Sequence, residues 1–211
     1  MDRSLRRWNG GACSVVCAVA LAACASAGPP VRLHTLMPAE IVPHGNSGPA
    51  GAAPIAIVLE PLRLPVQVDL AQWLVRLPDD SVALLEQERW ASPLRDEMRQ
   101  ALLEELDARG VVEARGGVAA RPPRVGIDVR RFESLPGREA RIEGTWTIQP
   151  GRPGVEAVRC EWLLREAAAP GMPALAAAHR RAVVRLADAI GDGVAASIRG
   201  APVPCPPPDS R

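Results

Sequence analysis

RVGIDVRRFESLPGREARIEGTWTI, residues 124–148, is the stretch that decides the fold. Val125, Ile127 and Val129 alternate with small or polar neighbours, so they share one face of a strand over residues 124–133. After Pro136-Gly137, a turn pair, Ile142, Gly144, Trp146 and Ile148 repeat the pattern over residues 140–148. Another Pro/Gly turn leads to residues 155–165, where Val158, Cys160, Trp162 and Leu164 point one way and Arg159, Glu161 and Arg165 the other. Period two with one wet face describes antiparallel strands, because a parallel sheet is covered on both faces and reads as continuous apolar runs.

Helices flank this core. Downstream, Leu175, His179, Val183, Leu186, Ile190, Val194 and Ile198 form an apolar stripe from Pro173 to Arg199. Gly191 and Gly193 are expected to weaken its second half by about 1 kcal/mol each relative to Ala. Upstream, Ser92 as N-cap and Pro93 at the first helical position open a helix carrying Leu94, Met98, Ala101, Leu102 and Leu106, stopped by Gly110. Before it come an apolar run at residues 55–64 with breakers Pro61 and Pro65, and two runs at residues 73–77 and 81–86 around Pro78-Asp79-Asp80, read as a hairpin. The order strand triplet, helix, strand triplet, helix predicts an α+β fold, a mostly antiparallel sheet with two helices packed on one face.

This domain spans residues 54–199. A Pro-rich tail occupies residues 200–211, and residues 24–53 are an Ala/Gly/Pro-rich tether with one strand-like interruption at 31–36, expected to serve as an edge strand. Residues 1–23 read as an export signal: Arg3, Arg6 and Arg7 precede the uncharged run ACSVVCAVA at 12–20, which falls short of the roughly 20 apolar residues that cross a bilayer. Leu21-Ala22-Ala23-Cys24 resembles the lipobox of bacterial lipoproteins, which implies cleavage before Cys24 and acylation of its thiol. The competing readings are an ordinary cleavage site or a buried helix. Three acyl chains exceed what stable anchoring needs, and Ala25, in place of Asp, resembles the outer-membrane sorting pattern of Gram-negative lipoproteins.

Composition excludes more than it assigns. The 211 residues carry 25 basic and 24 acidic side chains, so no excess charge points to nucleic acid. Without residues 1–23 the counts are 22 and 23, so near neutrality belongs to the body of the protein. With no Tyr and one Phe, the core must be aliphatic with a few Trp. Motifs for nucleotides, dinucleotides, zinc peptidases or serine hydrolases are missing. His34 and His44 fall in the tether, and His179 reads as a packed or hydrogen-bonded histidine. Glu104 and Glu105, adjacent on a helix, cannot converge on one atom. No catalytic, cofactor or metal site is assigned.

Five cysteines are present. Export removes Cys13 and Cys17 and acylation uses Cys24, which leaves Cys160 and Cys205 in an oxidising compartment. Either they pair and pin the tail to the sheet, or Cys160 is a small buried hydrophobe and Cys205 a free thiol.

Several segments resemble the ABC-type transport auxiliary lipoproteins, the group that includes paraquat-inducible protein C. They are the lipobox at Cys24, HTLMP at 34–38, LRLPVQVDLAQWLVRL at 62–77, ERWASPLRDEMRQALLEEL at 88–106, RRFES at 130–134 and GTWTI at 144–148. His34 stands where that family commonly carries an aromatic. The resemblance implies a non-catalytic, outer-membrane-anchored periplasmic subunit without a cofactor, working with an ABC transporter and an MCE-domain protein in intermembrane lipid transport. Because the MCE partners are oligomeric, a homo-oligomer is compatible with it. Trp73, Arg76, Arg89 and Trp90 are candidate partner contacts, since Trp and Arg are enriched at hot spots; for Trp90 the competing reading is a core residue beside the first helix. Two other functions compete: an outer-membrane lipoprotein that activates a cell-wall synthase or assists lipopolysaccharide assembly, and a lipid hydrolase, for which the sequence offers no nucleophile and base.

Overall fold

The computed structural model describes residues 29–38, 53–114, 121–152 and 154–207. The chain divides into Met1–Pro30 and Val31–Arg211. Of the first unit only Pro29 and Pro30 are described, so residues 1–23, expected to be an export signal, and Cys24 lie outside the described residues, as do His44 and most of the expected tether at 24–53.

In the second unit the elements run β1 (Arg32–His34), β2 (Ile55–Leu59), β3 (Gln72–Arg76), β4 (Val82–Trp90), α1 (Leu94–Asp107), β5 (Val111–Glu113), β6 (Arg124–Leu135), β7 (Glu139–Gln149), β8 (Val158–Ala167) and α2 (Met172–Arg199). They form an α+β fold with two mixed sheets, a three-stranded one of order β1-β4-β3 and a five-stranded one of order β5-β2-β6-β7-β8. The single, mostly antiparallel sheet expected from alternation is thus corrected. β6-β7-β8 and β3-β4 are antiparallel as expected, but β2 runs parallel to both its neighbours and β1 runs parallel to β4. The long excursion through β3, β4 and α1 between β2 and β5 makes this geometry accessible, since parallel pairs need a crossover.

The core lies between the five-stranded sheet and the two helices. Val125, Ile127 and Val129 of β6, Ile142, Trp146 and Ile148 of β7, and Cys160, Trp162 and Leu164 of β8 are all buried. At Arg130 the alternation breaks. Val129 faces Gly144 while Arg131 faces Glu143, so Arg130 is the extra residue of a bulge and Phe132 returns to the inner face. Opposite the bulge only glycine fits at 144, because a Cβ there would lie 2.2 Å from the Asp128 carbonyl oxygen. Gly193 has a related use: a Cβ would lie 3.0 Å from both Trp146 and Ile148 side chains, so the glycine that weakens α2 also lets it approach β7.

α1 starts at Leu94, with Pro93 in the N-cap place and no side chain capping its backbone. Ser92, expected to cap it, instead donates from Oγ to the Glu97 carboxylate at 3.1 Å. The turn between β3 and β4 is closed by the Leu77 amide on the Ser81 carbonyl, and Asp79 accepts from the Ser81 amide.

Cys160 and Cys205 are joined in a disulfide, with Cα atoms 5.3 Å apart, and Val203 of the tail packs against the core. The bridge fastens the tail beside β8, whose edge carbonyls at Arg165 and Ala167 accept from Arg185 and Arg181 of α2. Such cover blunts an edge that would otherwise pair with another chain. Titration of the unfolded, unreduced mature protein is expected to find no free thiol; two free thiols would remove the bridge.

Candidate functional site

Two neighbouring features make up the candidate site: a sealed aromatic junction and the apolar surface outside it. At the junction the β3-β4 hairpin, β6 and α2 meet. Trp73 and Trp90 lie with ring centroids 4.1 Å apart, and His179 of α2 stacks on Phe132 of β6 at 4.2 Å with planes 6° apart. His34 sets its edge against Trp73 at 5.0 Å. Through the middle runs a polar thread. Trp73 Nε1 donates to Ser134 Oγ at 2.7 Å, and Ser134 Oγ shares a hydrogen bond of 2.8 Å with His179 Nε2.

Ser134 and His179 are 1% and 0% exposed, which decides their chemistry. Burial lowers the His179 pKa from 6.5 to about 3, so the ring is neutral at physiological pH and a weak base. Its Nδ1 has no hydrogen-bond partner among the described residues, so no carboxylate orients it as a triad would. Already held between an indole and an imidazole, the serine hydroxyl is closed to solvent. This arrangement suits packing and register, not acyl transfer.

Two buried carboxylates fasten the N-terminal strand to this body. Glu88 receives hydrogen bonds from Arg32 and from His34 Nε2, the latter at 2.6 Å. Burial opposes its charge, but the bonds to His34 and Arg32 and their charges prevail and hold its pKa below the ordinary carboxylate value. Glu97 accepts from Thr35 Oγ1 at 2.7 Å and from the Leu36 amide at 2.9 Å, besides Ser92. Replacing Glu97 by alanine strands three donors in a largely buried place, and we expect urea unfolding to show a loss of about 2 kcal/mol. Sequence patterning marks both carboxylates in hindsight: Glu88 shares a strand face with Trp90, and Glu97 sits between Leu94 and Ala101 on the apolar stripe of α1.

The four candidate contacts separate into two pairs. Trp73 and Trp90 are 1% and 2% exposed, so the expectation of indoles offered to a partner is corrected to core packing. The aliphatic core leaves these rings as its largest fillers, and hydrophobic burial of each dominates. Arg76 is half-buried and tied to Glu133 at 2.8 Å and to the Asp80 carbonyl at 3.0 Å, which makes it a hairpin brace. Arg89 remains at the surface; its Nε donates to the Glu86 carbonyl and its backbone pairs with Leu33.

Outside the junction, the second face of the three-stranded sheet carries a leucine and valine cluster with Arg76 beside it. Leu74 pairs with Leu84 and Arg76 with Val82, all directed away from Trp73 and Val75. Beside them a groove of about 650 Å³ is bordered by Pro65, Val68 and Leu70 on one side and by Arg130, Arg131 and Glu133 on the other. Among the described residues no His, Cys, Asp or Glu cluster could hold a metal, and no helix is long and apolar enough to cross a membrane.

The family model described as ABC-type transport auxiliary lipoprotein component matches residues 35–191. None of the curated proteins matches the chain. Among solved structures, one titled only as an uncharacterized protein is similar with a TM-score of 0.61 at 14% identity, covering 77% of this chain and 97% of its own. Another, a Xanthomonas campestris protein of the DUF330 family, has a TM-score of 0.58 at 16% identity, covering 72% of this chain and 92% of its own. At these identities the likeness is one of fold.

Proposed function

We propose that this chain, which belongs to the ABC-type transport auxiliary lipoprotein family, is an outer-membrane-anchored periplasmic subunit that docks and steadies an MCE-type lipid transporter. The family match over residues 35–191 is the observation that carries the reading, because it spans every strand except β1, all of α1 and most of α2. The lipobox-like sequence ending at Cys24 supports an anchor on the thiol, and Ala25 supports sorting to the periplasmic leaflet of the outer membrane. A sealed Ser134-His179 pair supports a binding role in place of catalysis. Energy for transport would come from the ATPase of the complex, and this subunit would supply position.

Affinity capture of the tagged chain from detergent-solubilised envelopes tests the proposal. An ABC ATPase, its permease and an MCE-domain protein are expected in the eluate. Capture of a cell-wall synthase or a lipopolysaccharide-assembly subunit in their place would overturn it.

A further inference from the structure

We propose that the outer face of the three-stranded sheet, with the β3-β4 turn, rests on the lipid surface that holds the acyl chains of Cys24. This rests on reading Cys24 as the anchor. Of the eight large apolar side chains exposed among the described residues, seven lie between residues 31 and 84, on this sheet and the loop leading into it; the eighth is Val155. Val66 is 83% exposed, Leu33 65% and Val82 57%. Leu33, Val82 and Leu84 lie on the sheet's strands and the other four in the segments that flank them; such a concentration marks a contact surface, since monomers seldom leave large apolar patches in water.

Strand direction selects the occupant. β1 is parallel to β4, with Arg32 beside Glu88 and His34 beside Trp90. The chain therefore enters β1 from the side of Val82 and the turn, not from the side of α1. Seven residues lie between Cys24 and Arg32, eight Cα-to-Cα steps with a reach of at most about 29 Å. From Glu88 back to Val82, β4 spans about 20 Å. An acylated Cys24 on so short a leash keeps the bilayer within reach of the turn, where Leu77, Val82 and Leu84 are exposed. The rim carries both signs of charge, Asp79 and Asp80 at the turn and Arg130 and Arg131 across the groove, which suits zwitterionic headgroups. The apolar face would sit at headgroup depth, as interfacial segments do, without spanning.

The test uses the full acylated chain in phosphatidylcholine-phosphatidylethanolamine vesicles, with an environment-sensitive fluorophore at Val66→Cys, Leu84→Cys or Val155→Cys. Labels at residues 66 and 84 are expected to be quenched by spin-labelled lipid and to be at least about twofold less accessible to iodide than the label at 155. The exposed pair Val82→Glu and Leu84→Glu should leave the fold intact and abolish shielding at residue 66. Equal iodide access at all three sites in vesicle-bound protein overturns the inference. Shielding that appears only in a crosslinked second copy, or only on adding envelope proteins, assigns the face to a protein and overturns it as well. The anchor is read separately: the Cys24→Ser chain is expected to lose flotation with vesicles. A native chain that fails to float overturns the anchor and, with it, this inference.

Discussion

Lowering the pH from 7 to 3 is expected to remove about 4–5 kcal/mol of folding stability through His179 alone. Its pKa falls from 6.5 to about 3 on folding because burial penalises the charged ring. Below pH 6.5 the unfolded chain takes up a proton that the folded chain refuses, so stability is fully present above that pH. It is lost progressively as pH falls toward 3. Urea unfolding at pH 7, 5.5 and 4.5 should trace the slope. Glu88 adds its own loss only below about pH 4.5, its ordinary value, since its folded pKa is lowered. In the window from 6.5 to 4.5 the His179→Gln variant should therefore be nearly flat, while the native chain loses up to about 2–3 kcal/mol. A native chain as flat as the variant would show that His179 is not sealed.

Trp73→Ala is expected to cost about 3–5 kcal/mol, as for other large-to-small aromatic changes in a core. The indole fills the space between Trp90, His34 and His179 and donates to Ser134. Its removal opens a cavity and takes away the donor to a buried hydroxyl. Trp73→Phe keeps most of the volume and loses the N–H, so about 1–2 kcal/mol is expected. Thermal and urea unfolding of the two variants separate packing from hydrogen bonding. Were Trp73 a partner contact, alanine would leave stability unchanged and weaken only binding.

Much of this architecture was legible in the residues. β6, β7 and β8 follow from alternation because one face is wet, and both helices follow from stripes punctuated by Pro93, Gly110 and Pro173. Pairing direction was not legible, because period two tells which face a side chain takes and says nothing of the neighbour across the ladder. β5, only three residues long, is defined by lying beside β2 and has no pattern of its own. Arg130 broke the alternation in plain sight as VRRF, yet a bulge and a strand end look alike without a partner strand. The site was read less well. Trp73 and Trp90 stand out in a chain with so few aromatics, but residue type cannot distinguish an interface ring from a core ring. Ser134 and His179 stand 45 residues apart and meet only because α2 folds back onto β6. The apolar outer face emerged from exposure, since Leu74, Leu84 and Val82 read in sequence as ordinary strand residues.

Family membership ties the chain to transport, and the role proposed for it is to position the transporter. Crosslinking in intact cells, before any detergent, tests the resulting picture of an anchored docking subunit most directly. The account predicts that the native chain is bonded to an MCE-domain protein and that the Cys24→Ser chain is not. A native chain bonded only to itself or to a cell-wall synthase would contradict it.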